Sequence, residues 1–264
     1  MAAGQRLNGL SRVLNCVPSK DPQNDWTLDK ALAEGLVSWT YPERCDLRRP
    51  WWNVGDQLTT SSCVGWAATD GVLRWHLAER GLIRPQDELS PWLTWMAAKE
   101  TDADPESTVA DDHSGVTLKA ALDVLRKYGA VHASEFPFDH EQFCAKYPSP
   151  EFAELAAKLR IKAYYRVMND NNCDPNHLRM WIARQGPVLA LVDVDSQWVR
   201  ESEHVFEVHG EETGGGHGVA IVGYTQDHFV IRNSWGTDFC DQGFVLCSNA
   251  YVQSAVCEAY GVVV

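Results

Sequence analysis

The sequence predicts an α+β fold, a helical lobe packed beside a sheet or barrel lobe with a cleft between them. Two patterns carry this. Apolar residues recur at helical spacing through the first half, whereas from Pro187 onward they alternate with period two. A third observation puts chemistry at the junction. Cys63 opens a helical run of the first half, while His217 and Asn233 lie in strand-like segments of the second. Ligands bind preferentially in such inter-lobe clefts.

Residues 1–40 are polar and turn-rich, with Pro18, Pro22, Gly35 and one short amphipathic piece at 28–36. They read as a leader wrapped on the body or a short propeptide. Arg6 and Arg12 stand in the first twenty residues without an apolar block, so no secretory signal is expected. Residues 42–50 run between two prolines as an extended lead-in. Over 63–80, Val64, Ala67, Ala68, Val72 and Trp75 fall near a 3.6 period, and Gly81 supplies the stop. Ser90-Pro91 is a cap with proline at the first helical position, opening a helix to about Lys99.

Residues 101–113 are acidic and aperiodic, hence a loop. Thr117 caps an amphipathic helix whose face is Leu118, Ala121, Leu122, Leu125 and Tyr128, ended by Gly129. Ser149-Pro150 starts another helix, to about Leu159, and 161–167 reads as a strand. Asp174-Pro175 caps a helix that stops at Gly186-Pro187. Strands follow at 188–194, 219–224, 228–233, 243–247 and 259–264, with 225–227 a tight connection.

At 264 residues with 45% hydrophobic and 22% charged residues, the chain builds a substantial core. A net charge of −13 argues against nucleic acid or anionic membrane as partner. No run approaches the roughly 18 apolar residues of a membrane span. The eight cysteines form no Cys-x-x-Cys pair and no zinc spacing, which reads as reduced thiols in a cytoplasmic protein. A Cys240–Cys257 disulfide and non-classical secretion are the alternatives. Asp111, Asp112 and His113 read as a solvated acidic loop, so no metal and no cofactor is expected. Trp51, Trp52, Trp92 and Trp95 read as core.

The chemistry rests on four side chains in the order Gln57, Cys63, His217, Asn233. Only a thiolate is a competent sulfur nucleophile, and a helix N-terminus with a neighbouring imidazolium lowers a thiol pKa. Cys63 meets the first condition, and His217 facing it would meet the second. The Asn233 amide oxygen can accept the imidazole N–H, with the Trp235 indole roofing that bond. Gln57 and the Cys63 backbone N–H can donate to an oxyanion.

These residues resemble the papain-like cysteine peptidases (C1 family). Gln57 and Cys63, six apart, match the family's oxyanion glutamine and nucleophile. Residues 216–224, Gly-His-Gly-Val-Ala-Ile-Val-Gly-Tyr, resemble its histidine strand, and Asn233-Ser234-Trp235-Gly236 its Asn-Ser-Trp-Gly signature, followed by Gly243-Phe244. Asp46-Leu47-Arg48 is similar to the start of many mature enzymes.

The resemblance implies a two-lobe fold with an antiparallel β-barrel-like right lobe. It implies an N-terminal extension over 1–41 and a peptidase domain over 42–264, helical at about 55–148 and β-rich at about 149–264. It further implies peptide-bond hydrolysis of a protein or peptide substrate through a Cys63 thiolate/His217 imidazolium pair and an acyl-enzyme. Substrate contacts are implied at Ser61, Ser62, Ser114, Gly115, Gly216 and Trp235. Thr60 stands where the family carries a stapling cysteine, as in bacterial members, and Ser61 and Val64 replace a glycine and a tryptophan. Acyl transfer, cleavage of an isopeptide or other amide, and an inactive binding protein of the same fold are the alternatives.

Overall fold

The computed structural model describes residues 5–7, 10–102, 114–138, 156–168, 173–199, 204–210 and 213–264. The helices are α1 (Leu28–Ala33), α2 (Cys63–Ala68), α3 (Arg74–Glu79), α4 (Pro91–Thr101), α5 (Leu118–Lys127), α6 (Pro175–Arg184) and α7 (Asn249–Ala255). The strands are β1 (Gln5–Leu7), β2 (Leu10–Arg12), β3 (Cys45–Asp46), β4 (Ala163–Arg166) and β5 (Val188–Asp195). They continue with β6 (Val205–Phe206), β7 (Thr213–Tyr224), β8 (His228–Arg232), β9 (Phe244–Ser248) and β10 (Val256–Val263).

The caps follow the sequence. The Ser90, Thr117 and Asp174 side chains accept the backbone N–H of Leu93, Ala120 and Asn176, satisfying orphan donors at α4, α5 and α6. Gly81 and Gly129 adopt left-handed φ of 67° and 93°, a conformation that favours glycine after a helix.

The helix expected over 63–80 forms with an interruption, because a π turn, Thr69–Leu73, joins α2 to α3. That turn holds buried Asp70, which pairs with Arg74 at 2.8 Å and with Arg232 at the end of β8. Three buried charges thus tie the helical layer to the strand leading into Asn233.

The main sheet has eight strands in the order β4-β10-β5-β7-β8-β9-β6, with β3 pairing β7. All pairs are antiparallel except β6 with β9. It is an open sheet rather than the expected barrel-like lobe: among the described residues no ladder joins β4 to β6. Strand β7 starts at Thr213, six residues before the expected 219, because β5 continues to pair with it through Val192↔His217 and beyond. Helix α7, capped by Ser248, was not anticipated. Residues 103–113 and 150–155, most of the expected acidic loop and of the helix after Pro150, lie outside the described residues.

Helix α2 lies on β7 and crosses α4 closely. A Cβ on Gly65 would sit 2.6 Å from the Pro91 carbonyl, and one on Gly71 2.9 Å from the Ala220 Cβ. One buried cluster runs from these helices through Trp52, Trp92 and Trp95 into β5, β7 and β10. The alternative disulfide between Cys240 and Cys257 is not formed. Among the described residues no helix is long and apolar enough to cross a membrane.

Candidate active site

Cys63 is the first residue of α2, and its sulfur faces the backbone N–H groups of Gly218, Val64 and Cys63 itself. It therefore lies beside the β7 residue next to His217. The His217 ring bonds Asn233 Oδ1 at 2.7 Å through Nε2. Asn233 Oδ1 also accepts the Ser234 backbone N–H at 2.8 Å, which fixes the amide orientation. An oxygen only accepts, so Nε2 carries the ring proton and Nδ1 presents a lone pair. Nδ1 is buried and makes no hydrogen bond among the described residues.

Aromatic rings enclose this bond. The Trp235 ring lies 5.0 Å from His217 and the Trp198 ring 5.6 Å. Gln57 joins the same network through neighbouring residues. Its Oε1 accepts the Ser234 hydroxyl at 2.8 Å and its Nε2 donates to the Thr60 carbonyl at 2.9 Å. Its backbone N–H donates to Ser234 O at 2.8 Å. Fold contacts thus link Gln57, Ser234, Asn233 and His217 in series, with Cys63 across from them on Gly218.

Of the expected substrate contacts, the Ser61 hydroxyl donates to the Ser114 carbonyl at 2.7 Å, and Ser62 shares a 2.7 Å bond with Thr60. Gly115 and Gly216 meet residues of the chain's own N-terminal segment. A Cβ on Gly115 would fall 1.4 Å from the Asn15 carbonyl oxygen, and one on Gly216 2.1 Å from that of Cys16. Cys16 donates its backbone N–H to Gly216 O at 3.0 Å, and Val17 bridges Thr117.

Residues 12–19 therefore form a strap between the two sides of the site. One end is held by Arg12, which is buried. It pairs with Asp56 at 2.5 Å, donates to the Leu58 and Trp235 carbonyls at 2.9 and 3.3 Å, and lies over the Trp235 ring. At the other end the Ser19 N–H donates to buried Glu258 at 3.0 Å. The sequence offered no signal for this beyond a polar leader. Arg12, Cys16 and Ser234 are the site residues that sequence reasoning missed.

Under the strap Cys63 and His217 are both 0% exposed. Burial pushes the Cys63 thiol up to about 11 against the pull of the surrounding N–H groups. Burial also pushes His217 down to about 4; the Asn233 bond opposes this and the Arg12 charge adds to it. In this arrangement burial favours the uncharged form of each group. Burial disfavours the expected thiolate/imidazolium pair in this arrangement, because neither charge reaches solvent.

The family model for "Papain family cysteine protease" matches residues 41–262. The chain is similar to cysteine proteinase 2 of Leishmania pifanoi, 35% identical over 199 residues, covering 73% of this chain and 41% of that protein. It thus spans about two fifths of that relative's length. Cathepsin L of Sarcophaga peregrina is 32% identical over 79 residues, 27% of this chain and 23% of that one. Among solved structures, xylellain, a cysteine protease from Xylella fastidiosa, aligns with a TM-score of 0.77 at 21% identity over 98% of both chains. Digestive procathepsin L 3 of Tenebrio molitor aligns with a TM-score of 0.71 at 16% identity, covering 100% of this chain and 84% of that one.

Proposed function

Because the chain belongs to the papain family of cysteine proteases, we propose that it is a cysteine peptidase held latent by its own residues 12–19. The observation that carries the reading is the 2.7 Å bond from His217 to Asn233, which leaves Nδ1 buried and available on the strand whose next residue, Gly218, meets Cys63. Lifting the strap readmits water, and the thiol proton passes to Nδ1. The resulting thiolate is stabilised by the N–H groups at the start of α2 and by the imidazolium. It attacks a peptide carbonyl, and the oxyanion is met by the Cys63 backbone N–H and the second N–H of the Gln57 amide. His217 protonates the leaving amine and then activates water to release the acid.

Gly115 and Gly216 are the proposed docking edges for substrate backbone, since backbone of this chain's residues 15 and 16 already occupies them. Ser61, Ser62 and Ser114 shape the wall beside them, and Trp235 shields the histidine. The substrate is a protein or peptide. The missing staple at Thr60 supports a bacterial-type enzyme in a reducing, cytoplasmic setting.

One observation favours the inactive binding protein instead, namely the complete burial of Cys63 and His217. Cleavage-site profiling of a peptide library by wild type beside Cys63→Ala decides between them. The peptidase reading expects wild-type cleavage, raised by loosening the strap and absent from Cys63→Ala. Equal product from both proteins, or none from wild type with the strap displaced, contradicts it.

A further inference from the structure

The strap brings a second cysteine onto the strand that also carries the nucleophile's contact. Cys16 packs on Gly216 and Cys63 on Gly218, positions two residues apart on β7, or about 6.6 Å along a strand. A Cβ on Gly216 would point at Cys16 and one on Gly218 at Val64, so the strap and the start of α2 share one face of β7. Both thiols are buried, and burial followed by the neighbouring Cys63 raises the Cys16 thiol well above its ordinary value. Ordinary disulfides span Cα separations of about 4.4–6.8 Å, a range that includes the spacing of the two glycines on which Cys16 and Cys63 sit.

We propose that Cys16 and Cys63 form a reversible dithiol switch, in which a peroxide-class oxidant converts the strap from a non-covalent cover into a covalent lock. The proposal rests on Cys63 being the nucleophile. While the strap is down Cys63 is protonated and shielded, so oxidation begins when the strap lifts and the thiolate forms. The thiolate attacks peroxide and the O–O bond breaks. Cys63 becomes a sulfenic acid, having lost two electrons, and hydroxide leaves. When the strap returns, the Cys16 sulfur attacks the sulfenic sulfur. An S–S bond forms, and the Cys16 proton leaves with the hydroxyl as water. A dithiol reductant returns two electrons and two protons and frees the strap. Cys16 thereby protects Cys63 from irreversible sulfinic and sulfonic acids.

The test treats the full chain with a several-fold molar excess of hydrogen peroxide and maps thiols by non-reducing digestion and mass spectrometry, with peptidase activity in parallel. Wild type is expected to yield a peptide linking positions 16 and 63, to lose activity, and to regain it fully with dithiothreitol. Cys16→Ala is expected to show no such link, sulfinic acid at Cys63, and no recovery. Absence of the link in wild type overturns the proposal, as does Cys16 joined to Cys257, its other cysteine neighbour, or full recovery of Cys16→Ala. The wild-type linkage is read without any variant and without activity. A protein that links 16 to 63 but cleaves no peptide therefore refutes the peptidase reading and not the switch.

Discussion

At position 217 one ring nitrogen is tied and the other waits, and the tie is Asn233. Asn233 meets the ring rather than the cleft, so Asn233→Ala is expected to lower kcat by up to about 100-fold with KM nearly unchanged. Steady-state kinetics checks this, and a rise in KM alone contradicts it. The depressed His217 gives a pH dependence that is cleanest in Cys63→Ala, where no thiol shares the proton. His217 titrates near 4 under the strap, against about 6.5 in solvent. Between these values the lifted form binds more protons, so acid favours lifting and the cover is most secure above about 6.5. Nuclear magnetic resonance of the ring and strap amides from pH 7 to 4 should show a midpoint well below 6.5 with strap signals shifting alongside. Titration at 6.5 with a still strap contradicts it. Gln57, Cys63, His217 and Asn233 were legible because their chemistry reduces to residue type and order. Their burial was not, since it depends on what lies above them.

Between elements, two contacts set what the strap and the helices can do. Arg12 holds the strap through Asp56, whose side chain keeps 30% of its exposure and can return to water when the guanidinium is removed. Arg12→Ala is accordingly expected to raise peptidase activity of the full chain by about tenfold, a change of about 1.4 kcal/mol in strap docking. Unchanged activity and unchanged Cys63 alkylation contradict the latch. Gly65→Ala inserts a Cβ 2.6 Å from Pro91 O and 2.7 Å from the Trp95 Cβ, prying α2 from α4. Overpacking of this kind costs about 1–3 kcal/mol, read as a lower unfolding midpoint. The caps at Ser90, Thr117 and Asp174 were legible because they are local. The π turn was not, since its buried Asp70 is held by a side-chain partner 162 residues away at Arg232. Helix α7 is seven residues wedged between two strands, too short for periodicity to register.

Across the whole molecule the division into helices first and strands later was plain in the apolar spacing, because that spacing reports which face each element buries. Sheet closure was not, because it depends on pairing between the edge strands and period two carries no pairing information. The path of residues 12–19 was equally hidden. A polar leader has no pattern, and its place is set by Gly115, Gly216 and Asp56, all distant in sequence. The central claim is that Cys63 and His217 become an ion pair once the strap yields. The direct measurement is the pH profile of Cys63 alkylation in Arg12→Ala and in Arg12→Ala with His217→Ala. Rapid alkylation persisting well below the ordinary thiol value of about 8.5, lost when His217 is removed, is the expected result. A rate that follows an ordinary thiol in both proteins would contradict it.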